Sequence, residues 1–359
     1  MSSRITDLRL RRRSLALREP FVTALRSATS VESVLVELRT GDGLRGVGEA
    51  APVAAITGES PASVLQVIER ELRPVIVGYD SEDVVGLASL LDAALAGHPS
   101  AKAALDIALY DLAARRSGVP LALFLGAGVR PVATDVTISA GGPAEMASAA
   151  GRRLADGFTC LKLKVGDGRG DDLARILAVA EIAGPQGARL RLDANQGWTA
   201  RWTISVVEEL ELRGVPLDLV EQPVPAGDLD GPALVSATLA TPVLADEAVH
   251  SVADAERLVE RQAADLVNIK LMKSGGITNA RAIVAALDEA GVGWIVGGMM
   301  EPPVAVAGGG ALALLGRAGT VHDLDAAWWL AQSRPEEALQ YRDGTLLMPS
   351  GAGLGLDPA

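Results

Sequence analysis

The stretch Cys160-Leu161-Lys162-Leu163-Lys164-Val165, with the six short apolar runs that follow it, decides the reading of this chain. Those runs are 190–193, 217–220, 243–245, 266–269, 294–296 and 320–324, and one more, 132–138, precedes it. Amphipathic stretches of helical length alternate with them. Eight such units at nearly even spacing predict a parallel (β/α) barrel. No glycine fingerprint follows the first run, as a dinucleotide-binding open sheet requires. Gly351-Ala352-Gly353-Leu354-Gly355 lies in the tail, outside any strand–helix context, and reads as loop.

The first third of the chain has a different pattern. Residues 5–17 and 31–39 read as strands, and Gly41-Asp42-Gly43 as a hairpin turn into a third strand, 44–47. Three helices follow. One starts at Ser60-Pro61, with a cap residue and then proline at the first helical position. One runs from Asp80-Ser81 to near Gly97, and one is capped by Ser100 and ends at Gly118. At 359 residues the chain exceeds one domain of ~150 residues. The expected division is an N-terminal α+β capping domain, 1–128, a (β/α)7β-type TIM barrel, 129–325, and a C-terminal segment, 326–359, that returns to the cap.

Composition excludes several function classes. Acidic residues number 45 against 33 basic ones, a net charge of −12, which opposes nucleic-acid binding. The basic cluster Arg9, Arg11, Arg12, Arg13 reads as a solvated edge strand. The single cysteine, Cys160, permits no disulfide framework and fits a reducing compartment. Residues 1–13 lack the apolar core of a secretory signal. The longest charge-free apolar stretch, 302–316, is shorter than the ~18 residues a membrane span needs. A cytoplasmic homo-oligomer that binds neither nucleic acid nor membrane is expected.

Barrel enzymes place their chemistry where strands meet the following loops. Run two ends in Lys162-Leu163-Lys164, run three in Asp193, run four in Glu221, run five in Asp246 and run six in Lys270. Three neighbouring strands thus deliver carboxylates to one side of the mouth. Packed together they repel, and a divalent cation relieves that repulsion. An all-oxygen donor set with open positions suits Mg²⁺, with Mn²⁺ as the alternative. Strands two and six are four apart in an eight-strand ring, so Lys164 and Lys270 face each other from opposite walls. A substrate carboxylate between them presents its α-carbon to two amines. One amine removes the proton and the other returns one to the opposite face. Lys162 shares the inward face with Lys164 and stabilises the enediolate.

These residues resemble the enolase superfamily, in the muconate-lactonizing subgroup with Lys-x-Lys on strand two and Lys on strand six. The resemblance covers nearly the whole chain. It implies Asp193, Glu221 and Asp246 as Mg²⁺ ligands, Lys164 and Lys270 as the acid/base pair, and Lys162 against the bound carboxylate. Within the subgroup the chain is similar to the dipeptide epimerases, especially the L-Ala-D/L-Glu type. Asp323-Leu324-Asp325 resembles the acid pair that holds the free α-amine of a dipeptide there, and two carboxylates two apart share a face. Arg26, in Thr23-Ala24-Leu25-Arg26, resembles the cap arginine that meets an acidic C-terminal side chain. Thr137 and Met299, the latter in Gly297-Gly298-Met299-Met300-Glu301, resemble substrate-facing positions. The implied function is epimerisation of the C-terminal residue of a dipeptide such as Ala-Glu, with Mg²⁺. The alternative is another reaction on this scaffold: a cycloisomerase, an o-succinylbenzoate synthase or an N-acylamino acid racemase.

Other polar residues carry no expectation of chemistry. His98, His250 and His322 lack metal spacing and read as structural, His322 shaping the mouth. Cys160 reads as core. Glu49 and Glu247 read as supporting or solvated groups, and Lys273, beside Gly275-Gly276, as a surface residue.

Overall fold

A computed structural model of the chain describes residues 2–23, 27–168, 171–332, 336 and 338–358. Strands β1 (Ile5–Val22), β2 (Ser27–Thr40) and β3 (Arg45–Ala50) form an antiparallel sheet in that order. The β2–β3 hairpin closes at Gly41-Asp42-Gly43, where Gly43 takes φ +89° and donates its N–H to Thr40 O at 3.0 Å. One face of this sheet lies on the helix Pro99–Arg116, every residue of which from Ser100 to Ala114 is buried. Gly46 and Gly48 permit that approach, because a Cβ at either would strike the helix backbone at Ala108 or Ala104. Arg13 departs from the solvated-edge reading. It pairs with the fully buried Glu49, which also accepts from Ser33 Oγ at 2.6 Å.

Helix starts differ from expectation in two places: the second helix begins at Val84 rather than at Asp80-Ser81, and Ser100 is not a cap. Ser60 caps Pro61–Val67 through a capping box with Ser63, as its spacing predicts. Asp83 caps Val84–Ala94. Ser100 caps nothing: Pro99 already occupies the first turn, and Ser100 is buried inside it. The free N–H groups of Ser100 and Ala101 instead donate to the Glu59 carboxylate, 2.8 and 3.2 Å away, from a distant loop.

The barrel strands are β5 (Val136–Ile138), β6 (Cys160–Lys164), β7 (Arg189–Asp193), β8 (Leu219–Glu221), β9 (Val243–Ala245), β10 (Leu266–Lys270) and β11 (Gly293–Gly297). They form one parallel seven-stranded sheet in sequence order. The eighth run is present as single bridges rather than a ladder. His322 bridges Thr134 on one edge, and Asp323 bridges Gly297 on the other. Four backbone hydrogen bonds of 2.9–3.0 Å close the ring there. The first run divides. Residues Val132–Ala133 form β4, which pairs antiparallel with β13 (Thr345–Leu347), itself paired with β12 (Gln340–Arg342). The open edge of the C-terminal hairpin takes β4, and Thr134-Asp135 turn the chain into the barrel.

Inside, Leu219, Leu244 and Ile295 form a small apolar layer with Leu266 packed against it. The C-terminal segment runs back to the long helix. Arg115 Nη2 donates to Leu356 O at 2.6 Å, and Leu354 N donates to Asp111 Oδ1 at 2.7 Å.

His322 is 3% exposed, and its Nδ1 accepts from Val296 N at 3.0 Å. Burial first, and then the Arg191 charge, lower its pKa to about 3. The unfolded chain therefore binds the extra proton between about pH 6.5 and pH 3, and stability falls as pH falls through that window. His322→Asn keeps an acceptor for Val296 N without the titration. Urea unfolding should show wild type losing about 2 kcal/mol relative to this variant between pH 7 and pH 5.

Candidate active site

Parallel register places the polar strand ends side by side. Lys164 stands opposite Asp193, and Asp193 opposite Glu221. Asp246 follows β9 directly, and Lys270 is the last residue of β10. Three strands separate β6 from β10, so the two lysines come from opposite sides of the ring. Beyond β7 and β8 the chain turns through left-handed backbone at Asn195 (φ 41°), Gln196 (φ 70°) and Gln222 (φ 34°). The Gln222 side chain ties adjacent strand ends together. Its Oε1 accepts from Asp246 N at 2.9 Å and Ala248 N at 3.1 Å, and its Nε2 donates to Val224 O at 3.0 Å.

Each lysine in this interior faces a carboxylate. Lys162 Nζ lies 2.6 Å from Asp323, 3.4 Å from Glu221 and 3.8 Å from Asp193. Burial opposes its charge, but Asp323, Glu221 and Asp135 outweigh burial and hold the ammonium well above its usual range. Lys164 donates to Asp193 Oδ2. Lys270 Nζ is 2.7 Å from Asp246 Oδ2, and Asp246 raises its pKa against burial. Lys270 and Lys273 likewise outweigh burial at Asp246 and hold that carboxyl well below the usual range.

Glu221 behaves in the opposite way. Burial, and next the neighbouring Asp193 charge, push it up to about 7. Its Oε1 accepts from Asn268 Nδ2 at 3.0 Å, while its buried Oε2 accepts no hydrogen bond. Glu247, beside Asp246, is also pushed to about 7 by burial and then the Asp246 charge, and its buried Oε2 is likewise unpartnered. Among the described residues no three acids stand in a ready-made coordination geometry. Each proposed ligand leans on a lysine instead. The orphaned carboxylate oxygens, the mutual repulsion and the all-oxygen donors fit a divalent cation of the Mg²⁺ type.

The eighth strand completes the wall. Burial opposes ionisation of Asp323, but Lys162 and Lys270 prevail and bring its carboxyl to about 2. Asp325 is raised, by burial and then by Asp323. Thr137, Lys162, Lys164, Asp246, Lys270, Met299, Asp323 and Asp325 all line one cavity, which Phe21, Thr23, Val53 and Ile56 of the N-terminal part complete. Arg26 lies outside the described residues.

Comparison with known proteins gives the family. Residues 5–126 match the model for the mandelate racemase / muconate lactonizing enzyme N-terminal domain, and residues 145–359 the enolase C-terminal domain-like model. The chain belongs to the mandelate racemase and muconate lactonizing enzyme family. Its members here include the L-Ala-D/L-Glu epimerase of Clostridium acetobutylicum, 38% identical over 98% of both chains. The substrate-liganded L-Ala-D/L-Glu epimerase of Bacillus subtilis superposes with a TM-score of 0.94, at 37% identity over 98% of both chains. A dipeptide epimerase of Enterococcus faecalis, complexed with Mg and L-Leu-L-Tyr, superposes at 0.91, with 35% identity over 98% of this chain and 99% of that one. The protein is an isomerase of the enolase superfamily.

In this family member, sequence reading misplaces Lys273 and overlooks Gln222, while of its two readings of Glu247 the supporting one holds. Lys273 is only 2% exposed. It donates to Asp246 Oδ1 at 2.6 Å, to Asp246 O, and to Asn268 O at 3.3 Å. Its signal was its place three residues after Lys270, in the turn Leu271–Ser274, which folds it back beneath the strand end. Glu247 is 7% exposed and accepts from Asn195 Nδ2 at 3.2 Å. Cys160 is core, and burial raises its thiol to about 12. Truncating Lys273 strips donors from a buried carboxylate and two carbonyls. Lys273→Met should cost about 3 kcal/mol in urea unfolding, toward the low end for a broken buried pair because Lys270 still faces Asp246.

Proposed function

We propose that this protein is a Mg²⁺-dependent dipeptide epimerase that inverts the α-carbon of the C-terminal residue by two-base 1,1-proton transfer, with an Ala-Glu-like substrate. The observation that carries the reading is one cavity lined by Lys164 and Lys270 from opposite strands together with the acid pair Asp323 and Asp325. Asp193, Glu221 and Asp246 would hold Mg²⁺, with Mn²⁺ as a substitute. When bound, the ion supplies positive charge to the substrate carboxylate and so acidifies the α-proton.

The chain's own residues do the rest. One of Lys164 and Lys270 takes the α-proton, and the other delivers a proton to the opposite face. The roles exchange with the direction of reaction. Lys162, held charged by its acids, neutralises the developing enediolate. Asp323 and Asp325 receive the α-ammonium of the dipeptide. Thr137 and Met299 bound the substrate from β5 and the loop after β11. Arg26 is assigned to an acidic C-terminal side chain on the family resemblance. Relatives named for Ala-Glu and complexed with Leu-Tyr share this barrel, so the C-terminal residue is selected by the cap.

The acid pair favours a free amine over the N-acyl and cycloisomerase alternatives, whose substrates present no ammonium to Asp325. A cytoplasmic homo-oligomer fits the same reading. The lone cysteine is buried, and no helix among the described residues is long and apolar enough to cross a membrane.

Incubation with dipeptides, Mg²⁺ and D₂O tests the chemistry. Wild type should incorporate α-deuterium into both epimers of an Ala-Glu-type dipeptide. Lys164→Ala and Lys270→Ala should each retain exchange with one epimer and lose inversion by at least about 10²-fold. Equal loss with both epimers rejects the two-base assignment, and no exchange by wild type across a dipeptide library rejects the epimerase.

A further inference from the structure

Asp325 does not stand alone at the cavity wall. Its Oδ2 accepts two hydrogen bonds, one from Thr137 N at 2.8 Å and one from Trp329 Nε1 at 2.9 Å. Both fall on the same oxygen, so Oδ1 is the one left for a ligand. Asp325 precedes the single 3₁₀ turn Ala326–Trp329, and its carbonyl accepts from Trp328 N at 2.9 Å. That turn brings the indole of the fourth residue back onto the acid.

The indole is itself enclosed by neighbouring rings. Trp329 is 2% exposed. Its ring meets Phe21 edge-on at 5.5 Å and Trp328 edge-on at 5.5 Å. The Arg153 guanidinium lies 5.2 Å from its centroid and 4.5 Å from that of Trp328, and Arg18 lies 4.6 Å from the Trp328 ring. Phe21 also lines the cavity, close before Arg26 in the chain. The indole is thus packed between the acid and the end of β1.

We infer that Trp329 is the positioning residue for ammonium recognition: its N–H orients the Asp325 carboxylate so that Oδ1 faces the substrate amine. The inference rests on the dipeptide reading above and adds to it the group that sets the amine site. Asp325 is buried beside the negative Asp323, so it needs its donors to remain an ionised, fixed acceptor. Without the indole N–H, one donor remains, and the carboxylate is free to turn about its terminal torsion.

Two variants test this. Trp329→Phe removes the N–H and part of the ring. Replacement of the Trp329 indole by benzothiophene removes the N–H and keeps the shape, should the phenylalanine variant not fold. Exchange kinetics in D₂O are measured with L-Ala-L-Glu and with N-propionyl-L-Glu, which lacks only the ammonium. In either variant KM for the dipeptide should rise about tenfold, the effect of one hydrogen bond to a charged group, with kcat nearly unchanged. Exchange of N-propionyl-L-Glu should keep its wild-type kcat/KM. In an Asp325→Asn background the indole substitution should add nothing further. An unchanged KM, or an equal loss with both substrates, overturns the inference. Failure of wild type to exchange any dipeptide overturns the underlying function instead, so the two failures are distinguishable.

Discussion

The structure depends on the matching of buried charges inside the barrel. Lys162, Lys164, Lys270 and Lys273 are each 7% exposed or less, and so are Asp193, Glu221, Asp246, Glu247 and Asp323. An isolated ion at such depth costs several kcal/mol. Here each cation meets an anion from a neighbouring strand or turn, so the interior carries charge without being torn apart by it. The arrangement is also asymmetric. Glu221 and Glu247 remain under mutual repulsion from nearby acids while Asp246 and Asp323 are strongly stabilised as anions. That imbalance leaves the acid side of the ring able to take a further positive charge.

The parallel sheet supplies the rigidity this matching requires. Strand register sets Lys164, Asp193 and Glu221 at one level. Gln222 and Lys273 then fix Asp246 from both its backbone and its side chain. The eighth strand has few sheet hydrogen bonds of its own, yet it closes the ring at both edges and delivers Asp323 against Lys162. The N-terminal part contributes apolar walls, Phe21, Val53 and Ile56, to the cavity whose charged lining comes from the barrel.

Residues whose chemistry follows a strand period were legible in the sequence. Lys162 and Lys164 alternate with Leu161 and Leu163, and the acids of runs three to five end apolar segments. The Asp323-Leu324-Asp325 pair was legible for the same reason. Glu59, Gln222, Lys273 and Trp329 were not. Glu59, Gln222 and Lys273 act on a helix start or strand end that another part of the chain supplies, and Trp329 depends on the chain turning tightly after Asp325, which its apolar neighbours do not signal. Ser100 illustrates the converse. It has the local signature of a helix cap, but the partner of those N–H groups is Glu59, 41 residues away.

The sequence by itself determined the barrel, the cap and the inward-facing lysines and acids, because hydrophobic periodicity and side-chain alternation are properties of adjacent residues. Only the tertiary structure decided which charges pair, how the first run is shared between two sheets, and which groups hold Asp246 and Asp325 in place. Those outcomes depend on burial and on distances across the ring, where the cost of an unpaired charge selects the partner.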